Sequence, residues 1–395
     1  MAFDFDDPPP LRGTGSAKWD APRDPGVLPL WIADMDFRAP PPVLEALRRR
    51  VDLGVFGYAA EPPGWREALL GWLAARHGWA PGRDSVLPAT GVLPALGAVV
   101  RAFCGPGDAV ALLTPAYNCF FSTIRAQGAE PLAVPLRRVP ARPGTPGDFT
   151  FEIDEAALDA ALARPRTKLF LLCNPHNPCG RAWTRPELEA VAAACRARGV
   201  PVASDEIHAD LQLPGSRHVP CAAVAPDAAA VLLSASKSFN LAGLQTAALV
   251  VPDPALRAKL AADLISRDVG EPGPLGFAAS AAAWREGAPW LDALQRHLAG
   301  NYAALLDFVH GNLPALRVAT LEAMYLAWID ATASGDSSDR LARRLEREAG
   351  VRLSPGSAYG EPPGTAHLRL NLATSRARLL EALRRAAPIL AAARL

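Results

Sequence analysis

The chain has 395 residues, 50% of them hydrophobic, and carries 41 Lys+Arg against 40 Asp+Glu for a formal net charge of +1. At roughly 100–200 residues per domain, this length makes two or three domains with ample core. The charge balance excludes a basic nucleic-acid-binding arm and an acidic tail and gives no electrostatic reason to sit on an anionic membrane, and no uninterrupted apolar run reaches the roughly 18 residues of a membrane span.

The start, Met1-Ala-Phe-Asp-Phe-Asp-Asp-Pro8, is acidic and lacks the parts of a signal peptide, which leaves the cytoplasm as the expected compartment. The Pro-rich first 45 residues precede the first helix of the large domain. Apolar strands are expected at 109–113, 131–134, 169–173, 200–203, 230–233 and 247–251. The stretch 131–147 reads largely as an exposed loop after a short strand. A helix is expected over 185–198, with Thr184 as N-cap. Strand–helix alternation with continuously apolar strands points to an α/β fold whose sheet is covered on both faces and mostly parallel. After about residue 265 the pattern changes to one long helix, 288–312, then fewer strands and amphipathic helices at 338–348 and 375–387. Pro388 is expected to stop the last of these. The expected division is an N-terminal segment, 1–45, packing with a small α+β domain, 287–395, and a large domain, 46–286, between them.

Six cysteines form no CxxC pair and seven histidines show no HExxH spacing, so neither a disulfide framework nor a metal site is expected. Only four lysines occur, at 18, 168, 237 and 259. In open α/β sheets ligands bind beyond the carboxyl ends of the strands. After 169–173 comes Asn174-Pro-His-Asn177-Pro-Cys-Gly180; after 200–203 comes Ser204-Asp205-Glu-Ile-His208; after 230–233 comes Ser234-Ala-Ser236-Lys237. A polar loop, a carboxylate and a lysine thus converge at one sheet edge. Those parts suit pyridoxal phosphate, whose aldehyde needs a lysine amine and whose pyridine nitrogen needs a carboxylate. Its phosphate needs hydroxyls and the free N–H groups of a helix N-terminus. Taken singly, Asp205 reads as an N-cap, His208 as a structural histidine, Arg369 as a surface charge, Tyr58 and Tyr117 as core aromatics, and Lys18, Lys168 and Lys259 as surface or packing residues. Lys237, following an apolar strand with Ser at −3 and −1, does not fit a solvated surface lysine.

Asn177-Pro-Cys-Gly180, Asp205-x-x-His208, Ser234-x-Ser-Lys237 and Arg369-Leu-Asn371, with 28 residues from Asn177 to Asp205 and 32 from Asp205 to Lys237, resemble the fold-type-I pyridoxal phosphate enzymes. Within that superfamily, Lys18-Trp-Asp20, Trp31-Ile-Ala-Asp34-Met-Asp36-Phe37, Val55-Phe-Gly57-Tyr58, Ser204-Asp-Glu-Ile-His208 and Ser236-Lys-Ser-Phe-Asn240 look like the MalY/PatB group of carbon–sulfur β-lyases, of the cystathionine β-lyase type. The resemblance implies a large cofactor domain with a mostly parallel seven-stranded sheet, a smaller α+β domain, and a homodimer with shared sites acting on a small amino acid. Carried over, Lys237 bonds the cofactor and moves the Cα proton, and Asp205 pairs with the ring nitrogen. Asn177 and His208 meet the ring oxygen, and Tyr117 stacks on the ring. Gly91, Val92, Ser234 and Ser236 hold the phosphate, and Tyr58 reaches the neighbouring subunit's phosphate and substrate. Arg369 clamps the substrate carboxylate, to which Ala33 adds a backbone contact. Gln245 replaces an Arg common in aminotransferases, Cys179 replaces a Thr, and Met324 replaces a small or hydroxyl residue; His176 has no assigned role. Transamination is the alternative reaction, and a regulatory protein retaining the fold a third reading.

Overall fold

The computed structural model describes residues 3–362 and 364–391. The outer ends of both expected terminal segments, 1–2 and 392–395, lie outside the described residues. The main sheet has seven strands: β1 (Val86–Ala89), β2 (Ala109–Thr114), β3 (Glu130–Pro135), β4 (Thr167–Cys173), β5 (Val202–Asp205), β6 (Ala230–Leu233) and β7 (Ala247–Val250). Their spatial order is β1-β7-β6-β5-β4-β2-β3. β7 runs antiparallel to β1 and β6, and the remaining neighbours pair in parallel, as expected for a mostly parallel sheet.

The strands are apolar throughout because both faces are covered. Along β2 and β4, Val110, Leu112, Leu169 and Leu171 point to one face, where helices Val92–Phe103 and Pro254–Ser266 pack. Ala111, Leu113, Phe170 and Leu172 point to the other, against Glu155–Leu162 and Arg185–Arg198. In Arg185–Arg198 the buried residues Leu188, Val191, Ala192 and Cys195 fall at i, i+3, i+4 and i+7. Burial of each large apolar side chain contributes about 1.5–3 kcal/mol. Glu187 reaches back to the Thr184 N–H at 2.8 Å and closes the helix start.

A second, antiparallel sheet joins Arg317–Val318, Leu326–Asp330, His367–Asn371 and Ser354–Pro355. Helices Ala288–Asn312, Ser338–Ala349 and Arg376–Ala391 accompany it. Leu28–Pro29 pairs in parallel with Val351–Arg352, so the N-terminal stretch lies against this part of the chain. No described helix is long and apolar enough to cross a membrane.

Several elements depart from the expectations. β1 was not foreseen: it is a short edge strand containing Pro88, a residue that weakens any strand reading. β5 starts later than 200 and runs on through Asp205, because Val200 N–H is spent on Cys195 O at 3.0 Å in closing the preceding helix over Gly199 (φ 64°). Within the expected loop 131–147, β3 extends to Pro135 and Arg137–Pro140 forms an antiparallel ribbon with Phe149–Glu152. Arg138 lies 4.0 Å over the Phe149 ring there, a stacked pairing hidden in a Pro- and Arg-rich composition. Helix Arg376–Ala391 continues through Pro388. Ile389 and Leu390 are buried beyond it, and their burial offsets the roughly 3 kcal/mol cost of a helical proline.

Candidate active site

The carboxyl ends of β4, β5 and β6 open on a cavity of about 310 Å³, lined by Tyr117, Asn177, Asp205, His208, Ser236 and Lys237, with Ala33, Gly91, Val92 and Ser234 also on its wall. Residues set far apart in sequence meet there because most of them sit at or just after the carboxyl ends of strands of one mostly parallel sheet; Ala33 comes from the N-terminal segment. Tyr58 does not reach this cavity; it is fully exposed, at the end of an exposed apolar run with Val51, Leu53, Val55 and Phe56.

Asp205 ends β5, buried to 3% exposure, and accepts the Ile207 N–H at 3.0 Å. Burial pushes its pKa up to about 7, the neighbouring Glu206 charge adds to the rise, and Lys237 opposes it. Lys237 projects from a single turn, Ala235–Ser238. Ser234 caps that turn by accepting the Ser236 N–H at 3.0 Å while donating to Thr246 O at 2.6 Å. Burial lowers the Lys237 pKa to about 8; Asp34 and Asp205 pull it up, and Arg369 pushes it down. The amine donates to Ala33 O at 2.6 Å, the same carbonyl that accepts the Tyr325 hydroxyl at 3.0 Å. Ala33, expected to donate a backbone contact to the substrate carboxylate, lines the cavity with its carbonyl facing the lysine.

Arg369 lies on strand His367–Asn371 and is buried. It donates to Asn177 Oδ1 at 3.2 Å and to Trp31 O at 2.9 Å, and its guanidinium sits 4.7 Å over the Tyr359 ring. The reading of Arg369 as a surface charge therefore fails. His208 is buried and packs edge-on to Tyr325 at 6.4 Å. Burial and the charges of Lys237 and Arg369 lower its pKa to about 3, so its ring is neutral. Gly91 and Val92 open helix Val92–Phe103, whose first turn holds no acidic residue and presents free N–H groups. Gly180 has φ 78°, and a Cβ there would meet Leu321 Cδ1 at 2.6 Å, so this motif glycine answers to the close approach of residues 320–321. His176 Nε2 meets Pro115 O at 2.8 Å, which gives it a place tying the loop after β4 to the loop after β2.

The cavity fits pyridoxal phosphate on three structural counts. Asp205 is a carboxylate whose pKa burial raises, and a protonated ring nitrogen beside it would favour its charged form. His208 Nδ1, on a cavity-lining residue, is a buried polar atom without a hydrogen-bond partner among the described residues; Arg369, whose Nε is likewise unpartnered, is not among the lining residues. A helix N-terminus and the residues Ser234 and Ser236 also border the cavity.

Three further residues shape the surroundings of the site. Lys18, a surface or packing residue by expectation, is buried to 1% and pairs with Asp36 at 2.9 Å and Asp34 at 3.5 Å. Asn240, three residues after Lys237, accepts Met35 N–H at 3.1 Å and donates to Met35 O and Phe37 O. It thereby holds the segment that carries Ala33. Its left-handed φ of 58° was not visible from one sequence, although Asn is the residue most tolerant of it. Met324 likewise has φ 74° and packs with Ala182 and Ala323.

Residues 27–386 match the family described as aminotransferase class I and II. The chain is 38% identical over 390 residues to cystathionine beta-lyase PatB of Bacillus subtilis (strain 168), covering 97% of this chain and 98% of that protein. It is 34% identical over 387 residues to protein MalY of Escherichia coli (strain K12), covering 95% and 96%. Among solved structures it resembles the PLP-bound C-S lyase from Staphylococcus hominis, with a TM-score of 0.90 at 28% identity, covering 98% of this chain and 99% of that one.

Proposed function

The chain belongs to the aminotransferase class I and II family, in its MalY/PatB-like branch, and from that premise we propose that it is a pyridoxal phosphate-dependent carbon–sulfur β-lyase. Its substrates are cystathionine or related S-substituted cysteines, and its products are a thiol, pyruvate and ammonia. Near-full-length similarity to a cystathionine beta-lyase, at 38% identity, carries the reaction type. Lys237 and the buried Asp205, which line one cavity, support the cofactor chemistry. When bound, pyridoxal phosphate supplies an electron sink for the pair left at Cα.

The chain's own groups do the rest. Arg369 clamps the substrate carboxylate through its unpartnered Nε edge, a task suited to a planar guanidinium. Asp205 holds a proton on the ring nitrogen, and Asn177 with neutral His208 meets the ring oxygen. Tyr117 covers the ring face. Gly91 and Val92 give N–H groups, and Ser234 and Ser236 hydroxyls, to the phosphate. The Lys237 amine carries the cofactor, then takes the Cα proton at Nζ. Its pKa near 8 keeps a useful fraction unprotonated at neutral pH. The Cβ–S bond breaks with its electron pair going to sulfur, the thiolate gains a proton, and the remaining three-carbon fragment is hydrolysed to pyruvate and ammonia. Release of thiol, pyruvate and ammonia from cystathionine or an S-alkylcysteine tests the reading.

We divide the chain into an N-terminal segment of 1–45, a cofactor domain of 46–286 and a small domain of 287–395. The separate sheets and the pairing of Leu28–Pro29 with Val351–Arg352 support this. The described free cysteines, mostly buried, suit a reducing compartment, and we place the protein in the cytoplasm. The exposed run ending in Tyr58 supports a homodimer in which Tyr58 completes the partner's site. Mixing Tyr58→Ala with Lys237→Ala protein and allowing subunits to exchange should restore roughly a quarter of wild-type activity. Half of the dimers are then mixed and one of their two sites is whole. Activity in a monomer at high dilution, or no restoration on mixing, contradicts the shared site.

A further inference from the structure

Behind the cavity lies a second cluster of titratable side chains that the chemistry above does not use. The buried Asp210 carboxylate collects Trp72 Nε1 at 2.8 Å, His77 Nε2 at 2.7 Å and Ser238 Oγ at 2.7 Å. The buried Glu206 carboxylate collects Ser204 Oγ at 2.9 Å, the Cys221 N–H at 2.7 Å and His218 Nε2 at 2.8 Å. The two imidazoles meet edge to face with their centroids 5.1 Å apart, which joins the halves into one unit. Gln295 pins the Asp210 backbone through its carbonyl at 2.6 Å.

Placement gives the cluster its meaning. Glu206 directly follows Asp205, and Ser238 directly follows Lys237. The turn Ala235–Ser238 that presents Lys237 spans 4 residues, too few to be stable alone. Its start is capped by Ser234, and its end is tied to Asp210 through Ser238. Asp210 is held ionised: its three side-chain donors outweigh the burial that would raise its pKa, leaving it below the ordinary carboxylate value. Apolar residues would fill the same volume at lower desolvation cost, but only charge-assisted hydrogen bonds fix direction as well as distance. That is needed where one amine must serve both the cofactor and the Cα proton, because a displacement of about 1 Å can cost on the order of a hundredfold in rate.

We propose that Asp210, acting through Ser238, and Glu206, joined to it by His77 and His218, form a positioning unit that sets the separation of Lys237 from Asp205. The proposal rests on the reading that these two residues grip the cofactor. The test compares Ser238→Ala, Asp210→Asn and the double variant with wild type, and Ser238→Thr as the conservative replacement that keeps the donor. The readouts are kcat and KM for an S-alkylcysteine, melting temperature, and the circular dichroism of the bound cofactor measured without substrate. Each single variant should lower kcat about tenfold, the scale of one hydrogen bond to a charged group. KM should stay nearly constant and the cofactor's dichroism should change. The double variant should be no worse than the worse single one, and Ser238→Thr should stay near wild type. Unchanged kcat and dichroism with a lowered melting temperature, or losses that multiply in the double variant, would overturn the proposal. If Asp210→Asn does not fold, the contrast between Ser238→Ala and Ser238→Thr decides alone. A wild-type protein without a cofactor band would overturn the functional reading and this proposal with it, whereas a normal wild-type band with unaltered variants overturns this proposal alone.

Discussion

Lys237→Ala is expected to leave a folded protein with no covalent cofactor and turnover lowered by at least about a thousandfold, since both the anchoring amine and the group that moves the Cα proton are lost. Folding should survive the change. Burial already disfavours the charged amine, as its lowered pKa near 8 shows, and its one hydrogen bond goes to a carbonyl, Ala33 O, that keeps the Tyr325 hydroxyl. Borohydride reduction of the wild-type holoenzyme followed by peptide mapping should place the label on Lys237. Lys18 is locked against Asp36, and Lys168 and Lys259 are exposed and donate to Pro165 O and Ala102 O. Label on any of these three, or full turnover in Lys237→Ala, contradicts the assignment.

Asp205→Asn is expected to keep the cofactor linked to Lys237 but to lower turnover by about a hundred- to a thousandfold, the usual loss when one preorganised charge is removed from a developing carbanion's path. The amide is nearly the same size and still accepts the Ile207 N–H. It presents no negative charge, however, and cannot hold a proton on a ring nitrogen. The cofactor's absorption band should persist while kcat falls. Unchanged turnover in the fully loaded variant would remove Asp205 from the chemistry.

Residues that chemistry forces to specific types were legible from sequence; residues whose role is geometric were not. Asn177, Asp205, Ser234 and Lys237 lie at or just after the ends of apolar strands, and that position is what brings them to one cavity. Helix Ala288–Asn312 matched its expected limits because its pattern is long and periodic. The edge strand Val86–Ala89 and the ribbon Arg137–Pro140 were obscured by Pro and Arg, whose pairing depends on partners distant in sequence. Lys18 gave no local sign of burial, because its partner Asp36 lies on a neighbouring segment rather than one helical turn away. The Glu206–His218 and His77–Asp210 contacts span 12 and 133 residues, with no spacing rule to bring them together. Tyr58 is a special case: its exposure only acquires meaning if a second copy is present.

Elimination and transamination share every step up to removal of the Cα proton, and they part on whether the β-sulfur leaves before that carbon is reprotonated. The most direct test of the lyase assignment supplies cystathionine or an S-alkylcysteine to the cofactor-loaded enzyme with no keto-acid acceptor and counts products per active site. Thiol, pyruvate and ammonia should accumulate in equal amounts over many turnovers. A stop after one turnover in the pyridoxamine form, with activity restored by 2-oxoglutarate or pyruvate, would contradict it and make the protein an aminotransferase.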